Sequence, residues 1–243
     1  MKSIFSISFI WLVVVLFSCK KSADVTPAPT KANIIGSVNL YNEGTTPVDK
    51  SGMTVKLANT AFSAITNADG MFTLTDVPFG SYTMIYEKPG FGTFKYYGLE
   101  HSNVGSSTAL PFVPSFGQLS TTQVTGLTAS INAGNVILSV TTNPAGSNGN
   151  RRYVRYFLST SSTVSHENYT FYSPALVAQI NPFDITLTPA DLTSRGFTSG
   201  QTVYVKAYGD SFWGNTYDDP SLNRKIFPNL NMSTVSATSF IVP

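Results

Sequence analysis

Beyond Lys31 the chain alternates between apolar and polar positions with a period of two residues. Gly36-Ser37-Val38-Asn39-Leu40 places Val38 and Leu40 on one face, the spacing of a strand with one side buried. Thr54-Val55-Lys56-Leu57 repeats the pattern after a turn region around Pro47 to Gly52. Asp69-Gly70 predicts a tight turn, because both residues tolerate positive φ, and Phe72 and Leu74 then point to one side. Val77-Pro78-Phe79-Gly80 turns the chain into a strand from Ser81 to Tyr86, which Lys88-Pro89-Gly90-Phe91 closes.

The pattern resumes further along. Leu127 to Ile131 and Asn135 to Val140 predict a hairpin about Ala133-Gly134. Val154 to Ser159 follows the turn Asn148-Gly149-Asn150; Tyr169 to Gln179 gives one or two more strands, and Phe183 to Leu187 another. Thr188-Pro189-Ala190-Asp191-Leu192 reads as a single helical turn, Val203 to Tyr208 alternates, and Thr234 to Val242 ends the chain. Short strands separated by frequent turns predict an all-β chain of two tandem β-sandwich domains, residues 32–114 and 115–243. One stretch breaks the rhythm. Residues 209–232 form an insertion longer than ordinary connections, and loops of that length are often functional.

The first residues obey a different rule. Met1-Lys2 is cationic and Ile4 to Phe17 is almost wholly apolar, which predicts an export signal over residues 1–18. The apolar run is shorter than the roughly 20 residues of a membrane-spanning helix. The chain has one cysteine, so it forms no intrachain disulfide. That cysteine ends Leu16-Phe17-Ser18-Cys19, which resembles the lipobox of bacterial lipoproteins, with Phe17 bulkier than the usual residue. The resemblance implies a diacylglyceryl group on the Cys19 thiol, cleavage after Ser18 and acylation of the new N-terminus. An uncleaved N-terminal anchor is the alternative. Residues 19–31 then form a Pro-containing tether. The expected location is the cell envelope, held by lipid, most naturally in the outer membrane. With Asp24 the only acidic residue in the tether just after the cysteine, the periplasmic and surface faces both stay open.

Two further resemblances carry the domains. Gly36-Ser37-Val38, Thr66 to Leu74, Val77 to Tyr82 and Lys88 to Phe91 together resemble the carboxypeptidase regulatory-like (transthyretin-like) domain. The resemblance implies a small seven-stranded sandwich. Peptidases that carry this domain hold zinc through His and Glu in a separate catalytic domain. This chain has two histidines; Val104 stands three places after His101, and His166-Glu167 are adjacent, so no helical ligand pair is present. Ser199 to Gly209 resembles the sixth strand of fibronectin type III-like domains, with Val203 where that family has a corner tyrosine.

Composition narrows the function. Charged residues make up 12% of the chain, against about 25% in an average soluble protein. The formal charge is +2, which leaves no basic stripe for nucleic acid. No Ser/His/Asp arrangement, phosphate loop, cofactor motif or metal-ligand cluster is legible, and no enzyme activity is expected. The chemistry concentrates in the insertion. Phe212, Trp213 and Tyr217 offer flat faces for sugar rings, and Asp218 and Asp219 offer acceptors for hydroxyls. The same aromatics could instead pin the loop onto the sandwich. Asp210, Asp218 and Asp219 supply oxygens of the kind calcium takes, without EF-hand spacing. Phe94, Tyr96 and Tyr97 suit sheet packing or a contact with the second domain. Two functions remain: a lipid-anchored protein that binds a glycan or an envelope protein, or a structural spacer in an envelope complex. Binding predicts an exposed aromatic cluster; a spacer predicts aromatics buried between the domains.

Overall fold

The structure, a computed structural model, describes residues 28–103 and 105–243. Cys19, the leader and tether residues 19–27 lie outside the described residues. The first sandwich is built from β1 (Lys31–Ser37), β2 (Asn39–Tyr41), β3 (Thr54–Leu57), β4 (Ser63–Ile65), β5 (Met71–Pro78), β6 (Gly80–Glu87), β7 (Phe94–His101), β8 (Ser107–Ala109) and β9 (Ser115–Gly117). One layer is the sheet β5-β1-β8 with the short pair β2-β9, and the other is β4-β3-β6-β7. Val38, Leu40, Val55, Leu57, Leu74 and Met84 fill the space between them and are essentially inaccessible to solvent. The alternation in the sequence is therefore the in-out alternation of the strands. Gly70 sits at φ +80°, and a Cβ there would collide with the Val38 carbonyl, so the Asp69-Gly70 turn requires glycine. His101 is buried, its Nδ1 2.7 Å from Thr108 Oγ1 and its Nε2 3.0 Å from the Val77 carbonyl. Both ring nitrogens are thus used to tie strands together.

The first sandwich keeps the chain past Pro114. β9 pairs in parallel with β2, and Phe116 within it is buried in the first core. The second sandwich starts with β10 (Gln123–Asn132), followed by β11 (Asn135–Asn143), β12 (Arg152–Ser159), β13 (Phe171–Tyr172), β14 (Leu176–Ala178) and β15 (Phe183–Leu187). Then come α1 (Pro189–Ser194), β16 (Thr202–Asp210), β17 (Tyr217–Asp219), β18 (Arg224–Ile226) and β19 (Thr238–Ile241). Sheet β10-β11-β15 packs on β13-β12-β16-β19, with β14 also paired to β12. Ala133 and Gly134 both have positive φ, which makes the two-residue hairpin turn between β10 and β11. α1 is short and well capped: the Thr188 side chain accepts from the Asp191 N–H, and the Asp191 carboxylate accepts from the Thr188 N–H.

β12 departs from the half-buried pattern. Every residue from Tyr153 to Ser159 is buried, because both faces of this strand are covered. Val154, Tyr156 and Leu158 face the sandwich core, while Phe157 on the other side packs with Tyr208, Phe227 and Leu230. Phe227 and Leu230 belong to the insertion, which folds back over the outer face of the larger sheet. β17 and β18 form an antiparallel hairpin within it.

Candidate functional site

The insertion does more than cover its own sheet. Its two asparagines reach the first sandwich and are almost completely buried, Asn215 at 6% and Asn229 at 0% exposure. Asn215 Oδ1 accepts from the Gly117 N–H at 2.9 Å, and its Nδ2 donates to the carbonyls of Gly92 and Gly117 and to Asn229 Oδ1. Asn229 Oδ1 accepts from the Gly92 N–H at 3.1 Å; its Nδ2 donates to the carbonyls of Gly117, Gln118 and Trp213. The backbones must approach closely for this. A Cβ on Gly117 would lie 2.5 Å from the Trp213 carbonyl oxygen, and one on Gly92 would meet Asn229 and Pro228. These amides satisfy backbone groups that would otherwise be stranded out of water at the junction.

The five residues singled out in the insertion fall into two groups. Phe212 and Trp213 line a groove of about 490 Å³ at the junction, together with Phe94, Phe112, Arg155 and Thr216. Trp213 stacks on Tyr41 with ring centroids 5.2 Å apart, and Phe212 meets it edge-on. Trp213 Nε1 is buried without a hydrogen-bond partner. Phe212 is 43% exposed and Phe112 37%. Tyr217, Asp218 and Asp219 belong instead to the β17-β18 hairpin. Tyr217 packs edge-on against Phe94 of the first sandwich. Asp219 accepts from the Tyr97 hydroxyl at 2.8 Å and from Ser221. Asp218, exposed, pairs with Lys225 at 2.8 Å. Hydrogen bonds from Ser221 and Tyr97 hold the Asp219 carboxyl down at about 2, while desolvation and then the Asp219 contact push the Tyr97 phenol up to about 12. The Tyr97–Asp219 bond therefore persists across the ordinary pH range. Asp210, Asp218 and Asp219 do not converge on one point, and among the described residues no group of three His, Cys, Asp or Glu side chains is placed to hold a metal ion.

Asp210 has its own partner. Its carboxylate accepts from Arg155 Nε at 2.7 Å with both side chains buried. The guanidinium also donates to the Ser173 carbonyl and lies over the Phe227 ring, 4.9 Å from its centroid. Burial pushes the Asp210 carboxyl above the usual carboxylate range, and Arg155 opposes that rise. The pair closes one wall of the groove.

Sequence reasoning overlooked Arg155, Asn215, Asn229 and Phe112, whereas Phe94, expected in sheet packing or a contact with the second domain, lines the groove and packs on Tyr217. Arg155 alone carried a signal: a charge inside the apolar run Tyr153 to Leu158 has to find a buried partner.

No family model matches the chain, and no curated protein matches it. Among solved structures it is similar to a proposed carbohydrate-binding protein from Bacteroides uniformis, at 12% identity and TM-score 0.30 over 86% of this chain and 98% of that one. A DUF3823 family protein from Bacteroides ovatus is similar at 10% identity and TM-score 0.29, over 88% and 100% of the two chains. A cohesin–X-dockerin complex from Acetivibrio cellulolyticus matches at 24% identity and TM-score 0.28 over 35% of this chain, which spans about half (52%) of that chain's length. TM-scores of this size carry no argument about architecture or ligand.

Proposed function

We propose that this chain is a non-catalytic, lipid-anchored envelope protein that binds a glycan in the groove between its two sandwiches. The observation that carries the reading is the groove itself: Phe94, Phe112, Phe212 and Trp213 line one concave space, and two of them are well exposed. Sugar rings present C–H faces that stack on aromatic faces and hydroxyls that need polar partners, and a mostly apolar pocket with a few polar groups suits such a ligand. Thr216 and Arg155 supply polar groups at the wall. In the same reading the first sandwich is a carboxypeptidase regulatory-like module and the second a fibronectin type III-like one. Support comes from Asp69-Gly70 at a turn, Phe72 and Leu74 in the core, and Thr202–Asp210 as an inner strand.

The test is a glycan panel titrated against soluble chain lacking the leader and Cys19. Trp213 is then the only tryptophan, since the other is Trp11, and its fluorescence reports directly on the groove. Phe212→Ala and Phe112→Ala are expected to weaken binding at least about tenfold, the scale of one lost aromatic contact. Trp213 itself is a poor choice for substitution, because its ring also packs the junction. A panel without a ligand overturns the glycan reading and favours the second one, a spacer in an envelope complex. The buried Asn215–Asn229 contact supports that alternative, since it holds the two sandwiches in one fixed relation.

The anchor has a separate test. Cys19→Ala is expected to abolish metabolic labelling with palmitate and release the protein from the membrane fraction; retained label would refute lipidation at this residue.

A further inference from the structure

A second recess opens beside the aromatic groove, with a different character. It measures about 440 Å³ and is lined mainly by polar side chains, among them Asn42, Gln118, Asn148, Asn150, Arg151 and Arg152. Tyr153 and Glu43 also border it, and both touch Phe212: the Tyr153 ring meets the Phe212 ring edge-on, and the Phe212 N–H donates to the Glu43 carbonyl at 2.8 Å. The exposed Phe212 ring therefore stands between the two hollows.

Among the described residues the side chains of the two arginines, Arg151 and Arg152, have no hydrogen-bond or salt-bridge partner. Arg151 is exposed, and the half-buried Arg152 has its Nε shut away from water with no hydrogen bond. The donors Arg152 can present to the recess are therefore its terminal Nη groups, which are open to solvent and which the neighbouring carboxylate does not engage. Glu43 is occupied instead by the hydroxyls of Thr121 and Ser120. This contrasts with Arg155, whose buried Nε has the Asp210 carboxylate against it. Two guanidiniums against one carboxylate, in a hollow rich in amides, form a place for a planar anion among hydroxyls. Guanidinium binds carboxylate through paired N–H donors.

We infer that the glycan is acidic, and that the recess takes the carboxylate of a uronic or related sugar acid while an adjoining ring rests on Phe212. The inference rests on the glycan reading of the groove and adds the charge of the ligand and the residues that select it. Arg151 and Arg152 are the specificity-determining residues, and the amides beside them take the sugar's hydroxyls.

The experiment uses oligosaccharides of galacturonate, glucuronate, mannuronate and sialic acid, each paired with its carboxyl-reduced counterpart, titrated against the same soluble chain. At least one acid is expected to bind about tenfold or more tighter than its neutral twin. That preference is expected to shrink with added salt, since Arg151 is exposed, and to vanish in Arg152→Gln and Arg151→Gln. Arg151 is exposed, so Arg151→Gln is expected to melt at the wild-type temperature; for the half-buried Arg152, retained binding of the neutral twin by Arg152→Gln separates lost selectivity from lost folding. Equal binding of every acid and its neutral twin, with loss in Phe212→Ala, overturns the inference and leaves the glycan reading standing. A preference for acid that survives both glutamine variants overturns the assignment to this recess. Failure of every acidic and neutral glycan to bind removes both.

Discussion

Asp210→Ala is expected to destabilise the protein by about 3–5 kcal/mol, the cost of leaving one member of a buried ion pair alone. Asp210 and Arg155 are held at 2.7 Å with side-chain exposures of 1% and 8%. Without the carboxylate, the guanidinium, 8% exposed at the groove wall, keeps only the Ser173 carbonyl and the Phe227 face in place of its charged partner. The exposed pair provides the contrast. Asp218 and Lys225 are equally close, but the Asp218 side chain is 80% exposed, so Asp218→Ala is expected to stay within about 1 kcal/mol of wild type. The double variant Arg155→Met/Asp210→Leu should recover much of the loss, because removing both charges also removes their desolvation cost. Urea unfolding of the wild type and the three variants compares these losses directly. An Asp210→Ala variant as stable as Asp218→Ala would mean that solvent reaches Arg155 and that the groove wall is more open than the structure shows.

The sequence makes the layers legible and leaves the junction hidden, for a physical reason. In-out alternation is a local signal: Val38, Leu40, Val55 and Leu57 show their buried face within a few residues. Turn chemistry is local too, so Asp69-Gly70, Ala133-Gly134 and the helical turn from Thr188 to Leu192 are all legible. The lock between the sandwiches is not local. Asn215 and Asn229 look like ordinary loop residues; their partners, Gly92 and Gly117, stand far away in the chain and belong to the other domain. The same holds for β9, three residues whose pairing with β2 depends on a strand much earlier in sequence. One clue to the insertion's path was present. The apolar run in β12 marks a strand buried on both faces, so something had to cover its outer side, and Phe227 and Leu230 do so.

The candidate site divides along the same line. Phe212 and Trp213 could be picked out by type, since aromatics crowded into a long loop have few uses. Their partners Phe94 and Phe112 lie in and beside strands of the first sandwich, so the groove has no contiguous signature. Tyr217 and Asp219 are close in sequence to Phe212 and Trp213, but the hairpin keeps them out of the groove lining and turns them onto Phe94 and Tyr97. Features of binding and of spacing are both present: Phe212 and Phe112 lie open, while the half-buried Tyr217 and Trp213 pack on Phe94 and Tyr41 of the first sandwich.

Asn229→Ala tests that joint. The substitution removes one acceptor and the donors to three backbone carbonyls at a position with no solvent exposure. Each buried backbone group left unsatisfied costs about 1–3 kcal/mol, and partial relaxation brings the expected loss to about 2–4 kcal/mol. The location matters as much as the size. Neither sandwich core includes Asn229, so the strands should survive at denaturant concentrations where the junction has already parted. With Trp213 as the sole tryptophan of the leaderless chain, its emission follows the junction while far-ultraviolet circular dichroism follows the strands. The wild type is expected to give coincident curves by the two probes, and Asn229→Ala a fluorescence transition that comes first. Gly117→Ala should act in the same direction, since its new methyl would press on the Trp213 carbonyl. Coincident curves in both variants, with stability within about 1 kcal/mol of wild type, would mean that the buried amides do not hold the sandwiches together, and the groove would lose the rigid walls that glycan binding asks of it.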